Sequence, residues 1–330
     1  MVLHVIDALA ELDVDRVVVV VGHEADHVIK SVTELAPGGL EVTFAVQAEQ
    51  RGTGDAVSVA LGAFDDIADL DDDDVVVLPG DTPLLTSSSL AALVAAHRER
   101  EAGVTLLTAE IDDPTGYGRV VRARDGRVAS VVEHADANEE ERSISEVNTS
   151  IYCFRRSLLA PALRRLAPTN AQGELYLTDV VGVLFDAGYA THALILDDPS
   201  EAAGVNDRAQ LAGAESVMRG RINQRWLARG VTMWDPAQTY VDASVDLAPD
   251  VVLLPGSILR GSCRVGEGAH VGPYALLDDT VVGERASVGT VTADRAEVGA
   301  DAIVASFSTL LPGAVVPAGA RIGPGSVVER

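Results

Sequence analysis

The sequence predicts two architectures in succession: a doubly wound α/β domain, then a short left-handed parallel β-helix built from hexapeptide repeats. Three observations carry this reading. Short apolar runs alternate with helical patterns from residue 17 to residue 196, which is the signature of a mostly parallel sheet covered on both faces. Apolar residues then recur at six-residue steps: Val241, Leu247, Leu253, Leu259, Val265, Val271 and Leu277, and after a break Val298, Val304, Leu310, Val316, Ile322 and Val328. Glycine follows many of them, as in Val265-Gly266, Val271-Gly272, Val298-Gly299 and Ile322-Gly323. Period six is neither the helix nor the strand period. It predicts one apolar residue at each corner of a stacked coil, with the neighbouring glycine easing the turn.

Residues 17–21, five consecutive valines, read as a buried strand, and residues 40–47 as a second. Gly52-Thr53-Gly54 opens a helix over 55–64, and residues 75–78 form a short strand ending at Gly80-Asp81. A helix over 87–100 has Ser and Thr as cap candidates, and a strand follows over 104–110. Residues 119–133 predict an antiparallel hairpin turned at Asp125-Gly126. A strand over 148–154, helices over 157–166 and 174–185, and a strand over 191–196 complete the domain, which is expected to span 1–207. Residues 208–232 read as a linker helix and 233–330 as the β-helix. The acidic run 69–74 reads as a solvated loop. The front departs from the usual plan: what reads as the first helix, residues 3–12, feeds directly into the second strand, with no Gly-rich phosphate loop before it.

Composition narrows the function classes. A net charge of −25 argues against non-specific binding to nucleic acid or anionic membranes, although Mg²⁺ reverses the local sign for an anionic small substrate. No apolar run approaches a membrane span, and the first residues lack a basic leader, so a cytoplasmic location is the expectation. Two cysteines, Cys153 and Cys263, are too few for a metal cluster or a disulfide framework. Lys30 is the only lysine, so almost none is available to hold a phosphate.

Ligands of open α/β sheets bind beyond the carboxyl ends of the strands, and three polar clusters fall there. The segment Gln47-Ala48-Glu49-Gln50-Arg51-Gly52-Thr53-Gly54 follows a strand and opens a helix, suiting either a base edge and an anion or an ordinary βα turn. Pro79-Gly80-Asp81-Thr82-Pro83 puts a carboxylate on a strand end, as a hard-cation ligand or a helix cap. The third cluster is scattered: Thr115-Gly116-Tyr117-Gly118-Arg119, Glu133, Asn148 and Asn206. No Ser-His-Asp set, zinc spacing or cysteine nucleophile emerges, and the seven histidines are dispersed.

In order along the chain these segments continue with Val132-Glu133-His134, Glu146-Val147-Asn148-Thr149, Asn170-Ala171-Gln172-Gly173-Glu174-Leu175-Tyr176-Leu177-Thr178-Asp179 and Gly204-Val205-Asn206-Asp207-Arg208. With the hexapeptide repeat, the set resembles the bacterial bifunctional N-acetylglucosamine-1-phosphate uridylyltransferase/glucosamine-1-phosphate acetyltransferase family. The resemblance covers nearly the whole chain and is strongest from Gln47 to Arg208. It implies a Rossmann-like nucleotidyltransferase domain that joins UTP to N-acetylglucosamine 1-phosphate, giving UDP-N-acetylglucosamine, a peptidoglycan precursor, and pyrophosphate. It further implies that Gln47, Gly52 and Thr53 contact the uracil, that Gly80 lines the substrate site, that Asp81 and Asn206 hold Mg²⁺ and serve catalysis, and that Gly118, Glu133 and Asn148 line the sugar pocket. Hexapeptide β-helices of this kind assemble as trimers, so a homotrimer is expected.

Three departures qualify the resemblance. The family's first strand, its Gly-rich loop with an Arg, and a following Pro-Lys all precede the segment matching residues 1–4. Without them, each missing charge-assisted hydrogen bond to the triphosphate costs roughly 1.5–3 kcal/mol, and the missing strand is expected to leave a hole at the sheet's centre. A start assigned too far downstream or a true deletion accounts for this, and the retained downstream motifs favour the former. Leu311, in Leu310-Leu311-Pro312-Gly313, stands where the family's acetyltransferase has an Arg, and the family's acetyl-transfer coils lie beyond Arg330, so no acetyltransferase activity is expected. Two alternatives stay open: a non-catalytic UDP-sugar-binding or assembly subunit, and a nucleotidyltransferase for another sugar 1-phosphate.

Overall fold

A computed structural model describes residues 1–64 and 73–330. Most of the acidic run 69–74 therefore lies outside the described residues. The chain divides into two compact units, Met1–Leu211 and Ala212–Arg330.

In the first unit, α1 (Val2–Ala10) precedes β1 (Val17–Val21), α2 (Ala25–Leu35), β2 (Val42–Val46), α3 (Thr53–Leu61) and β3 (Asp74–Val77). Then come α4 (Ser87–Glu99), β4 (Val104–Glu110), β5 (Arg119–Arg122), β6 (Val128–Val132), α5 (Glu139–Arg142) and β7 (Glu146–Arg155). The unit closes with α6 (Arg156–Leu163), α7 (Asp179–Asp186), β8 (Thr191–Ile195) and the start of α8 (Arg208–Ala228). Local chemistry sets several boundaries. The Thr86 hydroxyl accepts from Ser89 N at 3.3 Å and caps α4, whose last turn carries His97 and Arg98 against the carbonyl end of the helix. The helix expected over 174–185 starts only at Asp179, because Leu175 is tied to the start of α3: Gly54 N donates to Leu175 O and Leu175 N to Arg51 O, both at 2.8 Å.

The sheet corrects the expectation of mostly parallel pairing. β1 and β2 pair in parallel, Val17 opposite Val42 through Val21 opposite Val46, but they form a sheet of their own. The larger sheet runs β6-β5-β7-β4-β8, with β3 also on β7, and only β4 and β8 pair in parallel. The ten-residue β7 is the cause: it lies between β3 and β4 and runs against both. Its apolar residues Ile151, Tyr152, Cys153 and Phe154 are buried on both faces, which holds the strand centrally.

The expected hole is present. β1 pairs only with β2 and β3 only with β7 among the described residues, so each leaves one edge without a strand partner. Between those edges lies a cavity of about 1250 Å³, lined by all five β1 valines, by residues 75–77, and by Val5, Ile6 and Leu9 of α1. Strand edges carry unpaired N–H and C=O groups, so the facing edges of β1 and β3 offer such groups to this slot.

The second unit is a parallel β-helix with three faces. Its strands run from β9 (Thr232–Met233) to β25 (Val327–Val328), in sheets of six, six and five strands. Most are two residues long, the first facing out and the second in. The six-step residues therefore stand on the flat faces rather than at the corners, and stack in register: Val241, Leu259, Leu277, Ala293, Leu310 and Val328 form one column. The break in the beat does not interrupt the coil. Leu277 opposes Ala293 and Val282 opposes Val298, so the residues missing there come out of the turns. The glycines also act differently from expectation. An added Cβ on Gly283 or Gly299 would lie 2.5 Å from the backbone N of Ala300 or Ala318 in the next coil, so close coil stacking demands them.

Candidate active site

The first cluster is built by the βα turn after β2. Gln47 N donates to Val21 O at 2.8 Å, which continues the ladder past β2. The Gln47 side-chain amide donates to Asp55 Oδ2 at 2.8 Å and to Gly52 O at 3.2 Å, which commits Nε2 to the turn. Gly52, the residue before α3, has φ +105° and ψ 175°, a conformation that needs glycine. The Thr53 hydroxyl accepts from Leu177 N at 3.0 Å, so it anchors the segment leading to α7.

Asp81 and Asn206 are far apart in sequence and meet in space. Val205 N donates to Asp81 O at 2.9 Å, and a Cβ added to Gly204 would stand 3.7 Å from Asp81 Oδ2 and 3.9 Å from Asn206 Nδ2. The donor set, a carboxylate beside a carboxamide, is hard oxygen chemistry that fits Mg²⁺. The Asp81 carboxylate has no ion pair with a described residue, so no cation competes for it.

Gly118, Glu133 and Asn148 also converge, because β5 lies between β6 and β7. Asn148 N donates to Gly118 O at 2.9 Å, and a Cβ on Gly118 would meet Val131 Cγ1 at 3.1 Å and Glu133 Oε2 at 3.3 Å. The buried Arg119 donates to the Tyr117 carbonyl and so braces the preceding turn. Burial pushes the Glu133 carboxyl above its usual range, against the pull of the Thr178 hydroxyl, which donates to Glu133 Oε1 at 3.0 Å. Three buried polar atoms here have no partner: Arg119 Nε, Asn148 Oδ1 and the Tyr176 hydroxyl. Asn148 bonds to Tyr152, and Glu133 acts electrostatically on Tyr152 and Tyr176, so these side chains form one cluster. An orphaned buried polar atom is costly unless a ligand or water meets it, so these atoms are available to a polar partner.

Thr178, Tyr152 and Tyr176 were not singled out by sequence reasoning. Tyr176 and Thr178 fall inside a recognised motif, but only their burial and contacts mark them. Of the expected residues, the cavity lining includes Thr53, Gly80 and Glu133, and not Gln47, Gly52, Asp81, Gly118, Asn148 or Asn206.

A separate cluster, Asp74, His97 and Cys153, has donor atoms within 4.8 Å of one another. It is satisfied internally: His97 Nδ1 meets Thr105 Oγ1 at 3.1 Å, and Asp74 meets His97 Nε2 at 3.3 Å and Arg98 Nε at 2.6 Å. Asp74 is thus the first residue of β3 rather than part of a loop. Burial pushes the Cys153 thiol up to about 12, which removes it as a nucleophile at neutral pH.

The model of the nucleotidyl transferase family matches residues 1–230. The chain belongs to this family. Among its relatives are the bifunctional protein GlmU of Streptomyces avermitilis, 44% identical over 321 residues, and that of Corynebacterium efficiens, 42% identical over 321 residues. Each alignment covers 97% of this chain and 65% of the relative. The bifunctional protein GlmU of Halalkalibacterium halodurans is 41% identical over 323 residues, covering 98% of this chain and 69% of the relative. The chain of this nucleotidyl transferase family member therefore spans about two thirds of the length of the relatives it matches. Among its described residues no helix is long and apolar enough to cross a membrane.

Proposed function

We propose that this chain is a sugar nucleotidyltransferase that joins UTP to N-acetylglucosamine 1-phosphate, releasing pyrophosphate. The observation that carries the reading is the convergence of Gly118, Glu133 and Asn148 around unpartnered buried polar atoms, in the same compact unit as the Asp81–Asn206 pair. With Nε2 of Gln47 held by Asp55 and Gly52, its carboxamide oxygen is left to accept a hydrogen bond from an imide N–H, as uracil offers. Gly52 and Thr53 shape that end of the site through their hold on residues 175–177. Gly80, without a side chain, leaves room beside Asp81. Glu133 and Asn148 orient the sugar so that its phosphate oxygen approaches the α-phosphorus in line. Transfer of this kind needs alignment and charge neutralisation more than a protein nucleophile. Mg²⁺, for which Asp81 and Asn206 are the fitting ligands, supplies the charge neutralisation when bound.

The partners follow the same reading: UTP and the sugar 1-phosphate in the α/β unit, and two further copies of the chain at the β-helix. Exposed Trp234, Tyr274 and Phe307 support self-association. They follow β9, β15 (His270–Val271) and β21 (Ile303–Val304), strands of one sheet, so they share an edge of the coil. A monomer in light scattering would refute the trimer.

The slot between β1 and β3 favours a second reading, binding without turnover, because it borders Gly80 and leaves the centre of the sheet unpaired. Calorimetry with UDP-N-acetylglucosamine and Mg²⁺, run beside a pyrophosphate-release assay, separates the two. Turnover with UTP and N-acetylglucosamine 1-phosphate, abolished in Asp81→Ala, is the expected result. Faster turnover with GTP or TTP would overturn the substrate assignment, and binding without turnover would support the second reading.

A further inference from the structure

We infer that Tyr152 is a positioning residue for sugar recognition: its hydroxyl holds the Asn148 carboxamide in place at the site. The inference rests on the proposed sugar-nucleotide function and adds a determinant to that site.

The geometry begins with an irregularity in β7. Leu107 opposes Ile151 while the next residue, Thr108, opposes Asn148, so Thr149 and Ser150 are extra residues on the β7 side. Ser150 adopts φ +61°, a left-handed conformation uncommon for a residue other than glycine, asparagine or aspartate. The Thr149 hydroxyl donates to Leu107 O at 2.7 Å and pins the bulge to β4. Bulges re-aim side chains, and this one brings Asn148 to Tyr152. Asn148 Nδ2 donates to the Tyr152 hydroxyl oxygen at 2.7 Å. Both residues are buried, and Tyr152 is 1% exposed.

A carboxamide presents an oxygen or an NH₂ depending on a half-turn about its last bond, and only its partners choose between them. Here Tyr152 takes the NH₂ group. Asn148 Oδ1 is left buried and without a partner. The Tyr152 phenol stays protonated, since burial raises it, and remains a neutral partner across the physiological range. With the NH₂ group on Tyr152, Asn148 Oδ1 is the atom left to accept from an N–H or O–H donor on the sugar. Without the Tyr152 hydroxyl, the carboxamide loses its anchor and the site loses its preset geometry.

The test is calorimetry on the full chain with two probes, UDP-N-acetylglucosamine and UDP, for the parent, Tyr152→Phe, Asn148→Ala and the double variant. Removing one net hydrogen bond of about 1 kcal/mol corresponds to a loss of about three- to tenfold in affinity. That loss is expected in Tyr152→Phe for UDP-N-acetylglucosamine and not for UDP. In the Asn148→Ala background, Tyr152→Phe is expected to cost nothing further. An equal loss for both probes would mean a merely structural residue and would overturn the inference, as would additivity in the double variant or an unchanged Tyr152→Phe. A parent that binds UDP but gains nothing from the sugar would remove the proposed function, and the inference with it. Thermal melting of each variant shows whether the fold is kept; should Tyr152→Phe unfold, Tyr152→Met, which fits within the same space and loses the hydroxyl, is held to the same comparison.

Discussion

Gly52→Ala is the sharpest single perturbation of the α/β unit. The backbone there, φ +105° and ψ 175°, lies in a region reserved for glycine, and holding alanine in it costs of order 1–3 kcal/mol. The new methyl would stand 2.6 Å from Leu175 O and 2.9 Å from Leu175 N, both backbone atoms that a rotamer change cannot move. Making room separates residues 51–54 from 175 and weakens the 2.8 Å bonds from Gly54 N to Leu175 O and from Leu175 N to Arg51 O, each worth about 1 kcal/mol net. A gain of about 0.4–1 kcal/mol from restricting the unfolded chain offsets part of this. The net loss is about 3–4 kcal/mol, or a fall of about 6–16 °C in Tm for a unit of this size. Differential scanning calorimetry reads it, and the effect is confined to the transition of Met1–Leu211. Both tryptophans, Trp226 and Trp234, lie in the other unit, so their fluorescence transition is expected to stay in place. A loss below about 1 kcal/mol would refute the argument, since it would mean that the turn accommodates a side chain.

Two further outcomes follow from the same geometry. In the β-helix, Gly299→Ala is expected to cost about 1–3 kcal/mol by overpacking against Ala318, whereas Gly323→Ala, whose nearest neighbour would be Ser326 Oγ at 3.9 Å, changes stability by less than about 0.5 kcal/mol; circular-dichroism melts compare the pair, and equal effects would sink the stacking argument. Glu133 carries a pH signature. Its folded-state carboxyl titrates above the ordinary 4.5, chiefly through burial, so the native state holds its proton over a window in which the unfolded state has released it. Stability therefore falls as pH rises from about 4.5 through the folded value, and Glu133→Gln is expected to remove that part of the fall while weakening sugar binding. Urea midpoints from pH 4 to 7 read this, and parallel curves for the two proteins would contradict it.

The recurrent valines and leucines at six-residue steps determined the β-helix by themselves, because each coil must bury one residue per face and the sequence repeats that demand. The strand at β1, the cap at Thr86 and the Asp125-Gly126 turn were equally legible as local requirements, although only Val17 and Val21 of the five valines are buried, because the strand borders the slot. The motifs around Gln47, Gly52, Asp81, Gly118, Glu133, Asn148 and Asn206 could be read as a set, but not which of them meet. Only the tertiary structure decided that, because contact depends on strand order: β7 runs against β3 and β4 and carries Asn148 to Gly118, while residues 204–206 return to Asp81 from far along the chain. The roles of Tyr152 and Tyr176 were invisible for the same reason. An aromatic residue in a strand reads as core, and whether its hydroxyl is satisfied depends on neighbours that the linear sequence does not place.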